Sequence, residues 1–199
     1  MTLLFNEKDH TYSLDGILVP GVTTVLNDEG ITNYDAIPEE TKEKAFYRGN
    51  CVHRAIELDL NGNLDFKNLA TDWTPYVEAA RKFVSDYDVQ PLHIEQLVWS
   101  KKRMFAGTLD LDGLVLGKRS IVDWKTGASC WGNCVQTSAY EFAKKECQKM
   151  GRTNFKRYAV YLSKEGNYKV EEHKDKNDIH TFMSALTLNT LKRRNGICK

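Results

Sequence analysis

No stretch of the 199 residues approaches the ~20 consecutive apolar positions that a helix needs to cross a bilayer, which excludes a membrane-spanning helix. The first ten residues, MTLLFNEKDH, lack the basic start and apolar run of a secretory leader, so a cytoplasmic protein with no membrane partner is expected. Cysteine is scarce and odd in number, five in all, which argues against a disulfide framework and for reducing surroundings. Neither sign of charge prevails: 28 Lys and Arg face 27 Asp and Glu, a net +1, so any surface that binds a polyanion must be local. The phosphate-cradling pattern Gly-x-x-x-x-Gly-Lys-Ser/Thr is missing, and with it an ATP-driven motor. Helix-turn-helix and zinc-finger patterns are missing too, so sequence-specific reading of DNA is not expected.

Hydrophobic residues make up 41% of the chain, enough for one sizeable core. No repeat, low-complexity segment or linker divides it, and a single domain over residues 1–199 is expected. Alternation on both sides of Asp15-Gly16 predicts an N-terminal hairpin ending at Pro20, within a segment 1–26 that also holds a short helix. Strong helix formers predict a helix over 39–60, with Ala45, Val52, Ile56 and Leu60 near one face, and a second beginning at Trp73, with Val77, Ala80, Phe83 and Val84 inward. LHIEQLVWS, RMFAGTLDLDGLVL and RSIVDWKT read as a three-strand antiparallel meander. Val135, Ala139, Ala143 and Cys147, spaced four apart, predict a helix capped by Gly151. FKRYAVYLS and YKVEEH read as two late strands, succeeded by a helix over 177–195 that opens on Asn177 or Asp178 and ends in cations suiting its dipole. This order predicts an α/β (α+β) protein with a central mixed sheet flanked by helices.

Charges interrupt the meander where apolar residues are expected. In SIVDWKTG a two-residue period sends Ile121, Asp123 and Lys125 to one face and Val122 and Trp124 to the other. Asp110 lies thirteen residues before Asp123, across the hairpin, with Leu109 and Leu111 expected on the face opposite to it. Hairpin registers of one parity bring the two aspartates together. Two carboxylates so placed repel unless a cation compensates them, and hard oxygen ligands favour Mg²⁺ or Mn²⁺ over zinc. A lysine beside them can orient a water or neutralise charge building on a phosphate. The same charges also suit a structural ion pair between Lys125 and either aspartate, and Asp112 competes with Asp110 for the inward position.

Gly107-x-x-Asp110, Asp123-Trp124-Lys125-Thr126-Gly127 and Gln136-x-x-x-Tyr140, preceded by Gly49, His53 and Glu57 in GNCVHRAIE, together resemble the RecB-like branch of the PD-(D/E)XK nuclease superfamily. The resemblance runs in the family's order from about residue 45 to 140. It implies a restriction-endonuclease-like core over 39–163 with Asp110, Asp123 and Lys125 catalytic. It also implies metal ligation by His53, Asp110, Asp123 and the Trp124 carbonyl, with Gln136 and Tyr140 supporting the site and touching nucleic acid. Glu95 resembles the acidic residue often found on the preceding strand. For Gly49, absence of a side chain would let the helix approach the sheet closely.

The activity implied by the resemblance is that of a stand-alone Mg²⁺- or Mn²⁺-dependent deoxyribonuclease, acting as an exonuclease on DNA ends or single strands. A recombination, replication or helicase protein is the expected partner, since any unwinding must come from elsewhere. The alternatives are a structure-specific endonuclease and an inactive nucleic-acid- or partner-binding module. Some relatives of this branch carry an iron-sulfur cluster on a terminal cysteine group. Cys51, Cys130, Cys134, Cys147 and Cys198 do not form that group, so no cluster is expected. Zinc on Cys51, His53, Cys130 and Cys134 suits the ligand types but not the usual spacing. For the DNA backbone the candidates are Lys144, Lys145, Lys156 and Arg157, with Tyr47, Trp131, Tyr140 and Tyr158 as aromatic surfaces.

Overall fold

The computed structural model describes residues 2–32 and 37–197. Three short strands, β1 (Leu3–Asn6), β2 (Thr11–Leu14) and β3 (Ile17–Val19), form an antiparallel sheet. Asp15 and Gly16, at φ +48° and +83°, make the two-residue turn that pairs Leu14 with Ile17. The hairpin read from the sequence therefore gains a third strand, β1, paired to β2 from Leu3↔Leu14 to Asn6↔Thr11. Next come helix α1 (Val22–Asp28), then α2 (Glu39–Leu60) with the predicted bounds, and α3 (Thr74–Asp86).

The central sheet comprises β4 (Gln90–Ser100), β5 (Phe105–Val115), β6 (Lys118–Lys125), β7 (Lys156–Leu162) and β8 (Tyr168–Glu172), in sequential order. The β4-β5-β6 meander is antiparallel. Helix α4 (Gly132–Cys147) then carries the chain back so that β7 lies parallel to β6, and β8 returns antiparallel. The sheet is mixed, as predicted. The last helix, α5 (Asp178–Arg194), begins at the expected residue.

One helix end lies elsewhere than expected, and one cap lacks its side-chain bond. Helix α4 stops at Cys147, and Lys149, at φ +56°, turns the chain so that the Met150 N–H donates to Lys145 O at 2.8 Å; Gly151 caps nothing. Asn177 holds the N-cap position of α5 but makes no side-chain capping bond, its own N–H donating instead to Asp175 Oδ1. At the other end of α5, Lys192 and Arg193 bind Glu29 and Asp28, tying the helix to the end of α1.

Alternation along the strands builds a core on each face. Leu109, Ile121, Val135, Ala139 and Phe182 pack with α1, α4 and α5, whereas Val52, Ile56, Phe83, Leu111, Val122 and Trp124 pack with α2 and α3. Trp124 meets Phe83 edge to face at 5.6 Å. No helix of the described residues is long and apolar enough to cross a membrane.

Candidate metal centre and its neighbours

Register brings the acidic residues together. In the β5–β6 ladder Leu111 pairs with Val122 and Asp112 with Ile121, which carries Asp110 to the level of Asp123 one step beyond the last pair. The Trp124 N–H donates to Asp110 Oδ2 at 2.8 Å. On the other side of β5, the pairs Ile94↔Leu111 and Gln96↔Leu109 bracket Glu95 opposite Asp110, and Glu95 has φ +48°. Leu109 and Leu111 do not share a face as predicted, because they enter opposite core clusters. The strict two-residue period breaks at Asp110, level with the left-handed Glu95, and so both carboxylates gather beneath α2.

From α2, His53 completes the group. Its Nδ1 lies 3.5 Å from Asp110 Oδ2 and its Nε2 3.0 Å from the Trp124 carbonyl oxygen. Ligand atoms of His53, Glu95 and Asp110 all lie within 4.8 Å of one another, and this is the cluster able to hold a metal ion among the described residues. Cys51, Cys130 and Cys134 are free thiols outside it, and Cys198 lies outside the described residues. Gly49 is not needed for a close approach of α2: a Cβ there would meet Thr126 Oγ1 at an ordinary 3.9 Å. Of the motif's glycines, Gly107 is the demanding one, since a Cβ there would stand 2.8 Å from Tyr140 Cε1 and 3.2 Å from Val22 Cγ2.

Asp123 stands beside this cluster, held by a polar chain from α4. Lys125 Nζ lies 2.8 Å from Asp123 Oδ2 and donates to Gln136 Oε1 at 2.9 Å. The Gln136 amide donates in turn to Asp123 Oδ1 at 3.1 Å and to Tyr140 OH at 3.0 Å. Gln136 and Tyr140 are both buried, one helical turn apart on the face that meets the sheet.

Electrostatics in the cluster are tense. Burial pushes Glu95 up to about 8, with the Asp110 carboxylate adding to the effect. Burial likewise raises Asp123 to about 6, although Lys125 opposes it. Burial pulls His53 down, but the Asp110 carboxylate outweighs it and holds the imidazole at about 9. Burial would also raise Asp110, yet the His53 and Lys125 cations and the Trp124 N–H hold it below the usual carboxylate range. Two carboxylates and an imidazole, with protons retained where a cation would displace them, fit a hard divalent metal.

Asp112 belongs elsewhere. Fully buried, it faces Arg119 Nη2 at 2.6 Å, Lys144 Nζ at 2.5 Å and His93 Nδ1 at 3.0 Å. Lys144 is therefore not a DNA contact: it is wholly buried between Asp112 and Gln96. Arg157 is likewise unavailable, enclosed by the Asp178 carboxylate at 2.9 Å, Glu141, and the carbonyls of Cys134 and Asp175. Both are candidates for the DNA backbone on the sequence alone because charge does not reveal burial. Sequence reasoning missed Arg48, whose Nη2 donates to the Thr126 carbonyl at 3.3 Å; the signal available was its place beside Gly49 in the His53 motif.

No family model and no curated protein sequence matches the chain. Among solved structures it is similar to a "putative exonuclease" from Eubacterium rectale, with a TM-score of 0.54 at 15% identity over 76% of this chain and 69% of that one. At this identity the likeness is one of fold.

Proposed function

We propose that the protein is a metal-dependent DNA nuclease, with residues 39–163 as its nuclease core, acting as an exonuclease on DNA ends or single strands. The observation that carries this reading is the clustering of His53, Glu95 and Asp110 within 4.8 Å, next to a Lys125 held in place by Asp123 and Gln136. The fold shared with the Eubacterium rectale protein supports the same chemistry.

His53, Glu95 and Asp110 would hold Mg²⁺ or Mn²⁺, with Asp123 and the Trp124 carbonyl at its side. The ion's chemistry is Lewis acidity toward a phosphate oxygen and toward water. Lys125 donates protons toward the charge that builds on the phosphate or orients the attacking water. Gln136 spends its carbonyl on Lys125 and its amide on Asp123 and Tyr140, so the lysine is fixed before substrate arrives. Retention of this whole chain argues for catalysis over passive binding.

End-labelled single-stranded, linear duplex and circular DNA, incubated with Mg²⁺ or Mn²⁺ or with chelator, test the proposal. Wild type should degrade the linear substrates only, and chelator or Asp123→Ala should abolish this. Cleavage of circles would overturn the exonuclease assignment in favour of an endonuclease, and binding without cleavage under either metal would overturn catalysis.

A further inference from the structure

Beside the metal cluster lies a groove of about 450 Å³ that the chemistry above does not use. Lys44, Tyr47 and Arg48 line it from one face of α2, Asp72 and Trp73 from the entry to α3, and Lys164 from the segment after β7. Arg48 links it to the chain just past Lys125. Arg48 donates to the carbonyl of Thr126, the residue after Lys125, and β6 and β7 run parallel with Lys125 level with Tyr161, three residues before Lys164. Arg48 and Lys164 therefore both lie near the C-terminal ends of the parallel strands β6 and β7, where Lys125 closes β6.

Its lining is unusual for an inert surface. Tyr47 is 64% exposed and meets Trp73, half-buried against the core, edge to face at 5.9 Å. Three cations line the groove against one carboxylate, Asp72, and of the three Lys44 is paired at the exposed rim with Glu40 at 2.6 Å. Among the described residues neither Arg48 nor Lys164 is paired with a carboxylate, and Arg48 Nε is buried without a hydrogen-bond partner. Aromatic faces set among cations bind unpaired bases by stacking and their phosphates by charge, and base faces are free for stacking only in a single strand.

We propose that this groove is the track by which a single-stranded polynucleotide reaches the metal cluster, bases resting on Tyr47 and Trp73 and phosphates meeting Lys44, Arg48 and Lys164. The proposal rests on the nuclease reading for its purpose, though the binding can be measured without catalysis.

The test is fluorescence anisotropy of labelled dT12 and rU12 with the full chain in chelator, against a blunt 12-base-pair duplex, for wild type, Tyr47→Ala and Lys164→Glu. Both substitutions are at exposed positions, and thermal melting should match wild type. Each variant is expected to weaken single-strand binding about tenfold, and Lys164→Glu to lower the slope of log affinity against log salt by roughly 0.7. Groove-dependent binding of either strand supports the track, and the ratio between dT12 and rU12 gives its sugar preference. Unchanged affinity in both variants, equal loss for the duplex, or no wild-type binding at 100-fold excess protein over labelled strand would each overturn it. Cleavage that survives such a result would leave the nuclease reading intact. Groove-dependent binding without cleavage would retain the track and remove the nuclease.

Discussion

At the residue scale, the cluster is built to exchange protons for a cation. His53, Glu95 and Asp123 retain protons up to about 9, 8 and 6, each above its ordinary value. A divalent ion needs the imidazole neutral and the carboxylates charged, so binding releases protons and apparent affinity rises with pH. Between pH 6 and 9 the Mn²⁺ affinity, measured by calorimetry, is expected to rise up to about tenfold per pH unit for each proton released. A flat profile would mean that these groups do not ligate the ion. Gln136→Leu keeps the helix but removes one of the groups that hold Lys125, and is expected to lower the turnover rate by about 10²–10³; because buried Asp123 and Tyr140 lose its amide, it should also cost about 1–3 kcal/mol of stability. Asp123 and Lys125 were legible from the strand period. The choice between Asp110 and Asp112 was not, because it turns on Arg119 and Lys144, which reach Asp112 from outside its own stretch. Glu95 was legible only weakly, since its left-handed backbone breaks the pattern that a period detects.

At the scale of elements, α4 is positioned by what it buries. Lys144 pins it to β5 through Asp112, while Tyr140 nests over Gly107. Lys144→Met leaves Asp112 with Arg119 and His93 but removes its buried lysine, and should cost about 1–3 kcal/mol in urea unfolding. The two glycines of the motif should behave oppositely. Gly107→Ala drives a methyl into the Tyr140 ring and should cost about 1–3 kcal/mol. Gly49→Ala makes an ordinary 3.9 Å contact with Thr126 inside a helix and should raise stability by about 0.4–1 kcal/mol. Helices and strands were readable because their apolar periods are strong, as in α3 with Val77, Ala80 and Phe83. The end of α4 was not, because Lys149 takes the left-handed turn that glycine was expected to take.

For the whole molecule, the sheet separates two cores that grip the site from opposite sides. Trp124 anchors the face beneath α2 and α3, and its carbonyl and N–H reach His53 and Asp110. The architecture arises from the order of elements, which is why the chain shares a fold at 15% identity. The charged interior was beyond the sequence, since Lys144 and Arg157 look like any surface cation until the packing is seen. The most direct test of metal-dependent catalysis at this cluster is the rate of hydrolysis of end-labelled linear DNA across a Mn²⁺ titration, for wild type, Glu95→Gln and Asp110→Asn. Saturable metal dependence is expected in wild type, a weaker apparent metal affinity with Glu95→Gln, and loss of activity with Asp110→Asn in a protein that still melts cooperatively. Hydrolysis indifferent to chelator, or unchanged in both variants, would contradict it.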